Sequence, residues 1–426
     1  MNEKPAITTT RLRDLTANQW RSGIAAWLGW LFDGLDSHLY TLVAAPFVAQ
    51  LLHVASPSDP AVKEKSAWIQ AAFLVGWALG GAFFGRIGDV LGRSRTLALT
   101  ILTYAMFTGL SFLAGAWWHL LIFRFLAALG IGGEWAVGSS LLAETWPRQW
   151  RFWVSAMLQT GVNIGVLLAC LSVYLLAGTP ERYVFLIGIL PALVVFWIRR
   201  SVVEPGQWHR ARAAVEKPPR WTALFQGEVL RTTLLATTVC SFALTGWWAF
   251  LFWHVQHLRG LPDVAAWTDA QRSRLVSSAF FLVIGVSIPG NFFAALLAKW
   301  LGFRRAIALM CLGFFFAIIG AYCVPRGCLS ILFWIPWVGF FSGVFGLFTM
   351  YLPPLFPVLL RTTGAGFTFN IGRVAAAAGT VVFGIFTKTI DFRIVLLCDA
   401  FLFLPAMLII LMLPEDPPLD TPAHAS

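Results

Sequence analysis

Ionisable side chains inside long apolar runs come first, because a charge in hydrocarbon is expensive and is kept for a purpose. One such run reads Trp27-Leu28-Gly29-Trp30-Leu31-Phe32-Asp33-Gly34-Leu35-Asp36-Ser37-His38-Leu39-Tyr40. At helical spacing Asp33, Asp36 and Tyr40 share one face. Two carboxylates one turn apart repel in a low dielectric, and a shared proton relieves the repulsion, which suits a proton carrier. The plainer alternative is that both pair with cations and anchor helices. His38 falls off this face and is read as interfacial at least as well as a relay. A later run carries Arg124 and, ten residues on, Glu134 beside Trp135. Ten residues is about 15 Å of helix, so the two do not pair along it, and Asp33 or Asp36 is the obvious partner. Gln159 and Asn163, four apart, suit hydrogen bonding to a ligand or gluing of helices. Asn370 and Arg373 face one way, and no acid is read near Arg373 in its own half. A planar fork there matches a carboxylate, so Arg373 is either an anionic-substrate anchor or a lock onto Asp33, Asp36 or Glu134. Most of the tryptophans are expected at the membrane interface; Trp135 and Trp247 are the two expected to line a cavity.

The elements that must hold these groups follow from composition. The chain is 58% apolar and 12% charged, with mean hydropathy +0.74 and 21 Trp and 37 Phe among 426 residues. A soluble domain is nearer half apolar and about a quarter charged. The class expected is an all-α membrane protein in the cell membrane, with about twelve transmembrane helices. The spans are read at 23–52, 66–86, 96–115, 117–143, 152–177, 183–202, 231–257, 273–298, 306–324, 329–352, 363–387 and 392–413. With both termini cytoplasmic, inside segments hold 20 Lys and Arg and outside segments 9, leaving Arg124 and Arg373 within spans. That excess satisfies the positive-inside rule, so the net charge of +11 needs no nucleic-acid partner. The polar N-terminal residues are not expected to include a cleavable signal peptide.

Residues 85–95, Gly85-Arg86-Ile87-Gly88-Asp89-Val90-Leu91-Gly92-Arg93-Ser94-Arg95, are read as a link between spans 2 and 3. The glycines allow a tight turn and close backbones, and Asp89 can cap a helix N-terminus or pair with arginine. A shift of 210 residues superposes Gly92 on Gly302, Arg95 on Arg305, Pro147 on Pro357 and Arg151 on Arg361. This implies two six-helix bundles, 23–202 and 231–413, joined by a cytoplasmic linker at 203–230 and flanked by cytoplasmic segments 1–22 and 414–426. The repeat is imperfect: Asp89 becomes Lys299, so any contact made there must differ. Glu144 is read as a local salt-bridge partner of Arg148 and Arg151. Cys323 and Cys328 flank an external loop and are read as two unrelated thiols before a pair.

The 85–95 pattern resembles the signature loop between helices 2 and 3 of the major facilitator superfamily, with Gly85, Asp89, Gly92, Arg93 and Arg95 as its gating residues. Asp33-Gly34-Leu35-Asp36 is similar to the first-helix element of aromatic-acid:proton and sialate:proton symporters. Gly132-Gly133-Glu134-Trp135, Glu144-Thr145-Trp146-Pro147, the run from Phe185 to Ala192, and Leu355-Phe356-Pro357 through Arg373 look most like the sialate/monocarboxylate:proton group. The resemblance implies alternating-access symport of a small organic anion with protons by a monomer. Asp33 and Asp36 would couple protons, with Glu134 a further acid free to do so. Arg124 and Arg373 would bind or stabilise the carboxylate, beside Asn370, Gln159, Asn163, Tyr40, Trp135 and Trp247.

Rival classes are weaker. A drug:proton antiporter is disfavoured because residues 152–177 contain no proline. A sugar porter is suggested by Glu204-Pro205-Gly206-Gln207-Trp208, but a neutral sugar gives no reason for membrane arginines. No nucleophile-elbow, zinc or phosphate-loop signature supports an enzyme, and no soluble output domain supports a sensor; no cofactor or metal is expected. The residues leave uniport by the same architecture open.

Overall fold

The computed structural model describes residues 11–55, 59–176, 179–216, 219–386 and 391–415. Parts of the sequence expectations therefore lie outside the described residues. These are 1–10 of the N-terminal segment, the tail from 416, 217–218 of the linker, Lys388, and the last residue of the spans 152–177 and 363–387.

Helix starts follow from capping chemistry. Thr16 and Gln19 form a reciprocal capping box that starts α1 (Ala17–Leu52). At 36 residues, this helix is about 54 Å long, well beyond the hydrocarbon thickness. Asp59 caps Ala61 N–H, and Pro60 opens α2 (Pro60–Leu91). Then come α3 (Arg93–Ser111), α4 (Trp117–Thr145) and α5 (Arg151–Leu175). Span 6 is split into α6 (Val184–Ile187) and α7 (Pro191–Ser201), and the linker contains α8 (Gly206–Ala213). The second half has α9 (Gly227–Arg259), α10 (Asp269–Leu301) and α11 (Phe303–Tyr322). Its span 10 is split into α12 (Cys328–Phe341) and α13 (Val344–Tyr351). After α14 (Arg361–Phe386), span 12 is split into α15 (Phe392–Ala400) and α16 (Phe403–Ile410). Among the described residues, nine stretches are long and apolar enough to cross a membrane. With α1, α3 and α14, the helices carrying Asp33, Arg93 and Arg373, they make twelve crossing units.

One expectation needs correcting. Residues 85–91 are not a link: α2 stays helical through Leu91, and the break is the single residue Gly92. Its φ of +106° disfavours any side chain. Gly302, one repeat on, has φ +84° and sits between α10 and α11 in the same way. The repeat extends to carboxylates. Glu204 accepts from the N–H groups of Ser94 and Arg95, and Glu415 accepts from that of Arg304, so each first turn is capped from a distant segment. Pro147 and Pro357 each precede a 3₁₀ turn and then α5 or α14.

Within the first half α2 packs on α4, α1 on α5 and α3 on α4; within the second, α9 packs on α14 and α10 on α12. The halves meet along α2–α14 and α5–α10. The repeat carries α2 onto α10 and α5 onto α14, so these two seams are equivalents around one pseudo-twofold axis.

Candidate functional site

At the end of the bundle that carries Gly92, charged side chains latch the halves together. Asp89 Oδ1 accepts from Thr362 N–H at 3.2 Å, while Oδ2 accepts from Thr363 N–H at 2.8 Å and Thr363 Oγ1 at 2.5 Å. The carboxylate thus caps α14 from across the seam and also faces Arg93 at 3.3 Å; both roles expected of Asp89 are present at once. Arg93 is fully buried, donates to Gly88 O and Val358 O, and pairs with Glu144 at 2.9 Å. Glu144 also takes Arg361 at 3.2 Å. Its partners are therefore Arg93 and Arg361 rather than the neighbouring Arg148 and Arg151, whose short range made them attractive in sequence. Arg95 is exposed, and only its backbone N–H takes part. The linker is not a bare spacer. Trp208 of α8 donates to Asp89 O at 2.9 Å, Gln207 accepts from Arg361, and Arg86 donates to Pro219 O.

Midway along α1 the two acids part company. Three residues turn a helix by about 300°, leaving the side chains about 60° apart, enough to send them to different partners. Asp36 faces into the first half, where Arg124 Nη1 reaches its two oxygens at 3.2 and 3.3 Å, and Arg124 Nη2 donates to Asp36 O. Thr108 Oγ1 takes a further Arg124 bond at 3.1 Å, and the guanidinium lies over the Phe73 and Tyr40 rings. Arg124 is thus engaged by Asp36, and Tyr40 belongs to this buried pair. Asp33 accepts from Ser37 Oγ at 3.0 Å and lies in the field of Arg373, with no ion pair between them. His38 Nδ1 is satisfied by Gly34 O at 3.0 Å, a local contact.

Arg373 projects from α14 at the α2–α14 seam. Its guanidinium lies 4.2 Å over Trp77 and 4.9 Å over Phe369, and one nitrogen donates to Asn370 Oδ1 at 2.8 Å. Asn370 in turn donates to Gly366 O, which fixes its amide. Phe369 stacks on Trp135 of α4 at 4.1 Å and 9°, and Trp135 continues to Trp30 at 6.4 Å. Beside Trp135, Glu134 is fully buried with neither oxygen hydrogen-bonded, although the Tyr104 hydroxyl lies near it. A Cβ at Gly29 would overlap Glu134 Oε1, so α1 must be bare there for this carboxylate to fit. Trp247 is elsewhere: its ring neighbours are Phe250, Phe314 and Phe345, which place it in the second-half core.

The other seam is neutral. Asn163 donates to Ser287 Oγ of α10 at 2.8 Å. One turn along α10, Asn291 is 1% exposed, and neither its amide nitrogen nor its oxygen has a partner. Its Oδ1 and the Gln159 side chain both flank Gly346, and its backbone adjoins Gly343 in the break of span 10.

A sequence profile described as Major Facilitator Superfamily matches residues 26–380. The chain belongs to that superfamily. A probable 4-methylmuconolactone transporter of Cupriavidus pinatubonensis is 29% identical over 374 residues, 86% of this chain and 83% of that one. The sialic acid transporter NanX of Escherichia coli is 25% identical, over 88% and 89% of the two chains. Among solved structures, the human organic anion transporter MFSD10 superposes with a TM-score of 0.75 at 16% identity, covering 92% and 99%. This major facilitator protein is therefore a membrane transporter and not an enzyme.

Sequence reasoning about the superfamily chain missed two residues. Asn291 follows Pro289 inside span 8, and Asp399 is an acid inside span 12, apart from Arg373. The rule that singled out Asp33 would have found Asp399; Asn291 is neutral and answers only to the weaker signal of an amide inside a span that singled out Asn163. Cys323 and Cys328 are both free thiols.

Proposed function

We propose that the protein is an alternating-access symporter that moves a small organic anion with one or more protons. The observation that carries this is Arg373. It is a guanidinium held between aromatic faces at the seam of the halves, bonded to a neutral amide and free of any ion pair among the described residues. A substrate carboxylate completes it as a bidentate partner. Asp33, across the seam, and Glu134, beside the aromatic stack, are the acids whose protonation lets the loaded site close without stranding charge in hydrocarbon. Arg124 and Asp36 serve that site as a fixed buried pair. Asn163, Gln159 and Asn291 are the neutral contacts for the rest of the substrate. The plates formed by Trp77, Arg373, Phe369 and Trp135 favour a flat unsaturated acid. Both relatives named above carry organic acids or lactones by their names, which supports this class.

On the same reading the protein is a monomer with both termini cytoplasmic, and its two bundles run from 23 to 202 and from 231 to 413. The Asp89 latch then closes the cytoplasmic side. The test is uptake into proteoliposomes of sialate, lactate, benzoate, 4-methylmuconolactone and a neutral hexose, with and without an imposed pH gradient. Accumulation of an acid that collapses with a protonophore, and is lost in Arg373→Lys, supports the proposal. Uptake of an acid indifferent to the gradient means uniport, and uptake of the hexose alone means a sugar porter.

A further inference from the structure

Span 12 is interrupted immediately beyond a buried acid. α15 ends at Ala400, Phe401 and Leu402 form a turn on the carbonyls of Cys398 and Asp399, and α16 restarts at Phe403. Asp399 lies in the last turn of α15, is 1% exposed, and has no hydrogen bond to either oxygen. Phe401 and Leu402 keep right-handed helical angles, so the carboxylate sits where the span tightens, buried and bare, and an unpaired charge there is costly.

The surroundings are polar and separate from Arg373. α15 packs on α9 and α11. From α11, Tyr322 lies within the field of Asp399. Its hydroxyl makes a 2.6 Å hydrogen bond with His254 Nδ1 of α9, whose Nε2 is buried without a partner. His257, also from α9, meets the Tyr322 ring edge-on at 5.4 Å and lies in the fields of Asp391 and Arg393. Arg393 is spent on the carbonyls of Tyr322 and Cys323, at 2.9 and 3.2 Å. Asp399 therefore has Tyr322 as its polar neighbour, with His254 bonded to that hydroxyl, and no paired cation among the described residues. The described residues contain no cluster of three His, Cys, Asp or Glu side chains able to hold a metal ion, and a proton needs no ligand beyond the carboxylate itself.

We infer that Asp399 is a second proton-binding site, in the half of the molecule opposite to Asp33 and Glu134, with the Tyr322–His254 pair as its polar neighbour. Its use as a coupling site rests on the symport reading above; its existence as a proton site does not.

The test uses the purified full chain in lipid, without substrate or sodium. Infrared difference spectra between acidic and alkaline buffer should contain a protonated-carboxyl C=O band that disappears in Asp399→Asn and returns, shifted, in Asp399→Glu. Tyr322→Phe, which keeps the ring, should shift the same band. A folded Asp399→Asn protein with an unchanged spectrum overturns the inference, and so does a band that responds to added sodium instead of pH. Should Asp399→Asn fail to fold, unshifted bands in both Asp399→Glu and Tyr322→Phe overturn it equally. No substrate enters this readout, so its failure and the failure of the organic-anion reading are distinguishable.

Discussion

Replacing Asp89 by asparagine should release the latch. The carboxylate takes three hydrogen bonds from Thr362 and Thr363 and faces Arg93. Bonds to a charged group contribute about 1.5–3 kcal/mol each. An amide oxygen keeps the geometry of one or two of them as neutral bonds, turns an NH₂ towards a remaining donor, and loses the Arg93 charge. The state closed at Gly92 should lose at least about 3 kcal/mol relative to the state open there, on the order of a hundredfold in population. Thr363→Ala removes one donor and leaves both backbone N–H groups in place, so about 1.5 kcal/mol and roughly tenfold is expected.

Arg95 and Arg305 are exposed positions three residues beyond Gly92 and Gly302, one in each half. Nitroxides placed there, in a chain whose six cysteines have been replaced, report the separation of the halves by pulsed electron resonance. Asp89→Asn should move most of the distance distribution to longer values, and Thr363→Ala a smaller share. A folded Asp89→Asn protein with the parent distribution would refute the capping argument. So would Thr363→Ala acting as strongly as Asp89→Asn, because one hydroxyl would then outweigh the charge.

Gly29→Ala pushes a methyl group into Glu134 Oε1 and should lower thermal stability by about 1–3 kcal/mol; adding Glu134→Ala should restore most of it, which melting of the double variant checks. Asp36→Asn leaves Arg124 buried with its charge partner gone, and about 3–5 kcal/mol of destabilisation is expected. Asp36→Leu combined with Arg124→Met should be more stable than either single change, and denaturant titration in detergent would show otherwise if the pair is not a unit. Asn291→Leu removes a buried unpartnered amide at similar volume, so stability should hold or rise while the KM for the carried acid increases several-fold. An unchanged KM in uptake assays removes Asn291 from the substrate contacts.

What the sequence discloses depends on the range of the interaction. Asp36 with Arg124 is legible because a charge in a span demands an opposite charge, and few are available. Asp89 is legible because its glycine-rich surroundings allow only capping or an arginine. Glu144 misleads, since Arg148 and Arg151 are close along the chain while Arg93 and Arg361 arrive only through folding. The 85–95 stretch reads as a loop from its polarity, yet one glycine at φ +106° suffices to turn between two helices. Trp247 shows the limit for aromatics, because a large apolar ring fits the second-half core as well as a cavity wall.

The repeat explains where asymmetry has to enter. Backbone devices are duplicated: the positive-φ glycines at 92 and 302, the distant carboxylate caps at Glu204 and Glu415, and the prolines before α5 and α14. Side chains at the two seams are not. Under the same 210-residue shift Trp77 corresponds to Ser287, Gly81 to Asn291 and Asn163 to Arg373. One seam therefore holds a cation over an indole, and the other holds an amide on a hydroxyl with a second amide unpartnered. At the closed end Asp89 has become Lys299, so the carboxylate cap and its Arg93–Glu144–Arg361 network exist on one side of the axis alone. A symmetric pair of seams would present two like charges to one small anion or none. On the proposed function, dividing them into a charged and a neutral face would orient a substrate with one carboxylate and leave the scaffold free to rock about its axis. On that proposal, charge at one seam and neutral hydrogen bonding at the other is what a duplicated fold would need to carry an asymmetric acid.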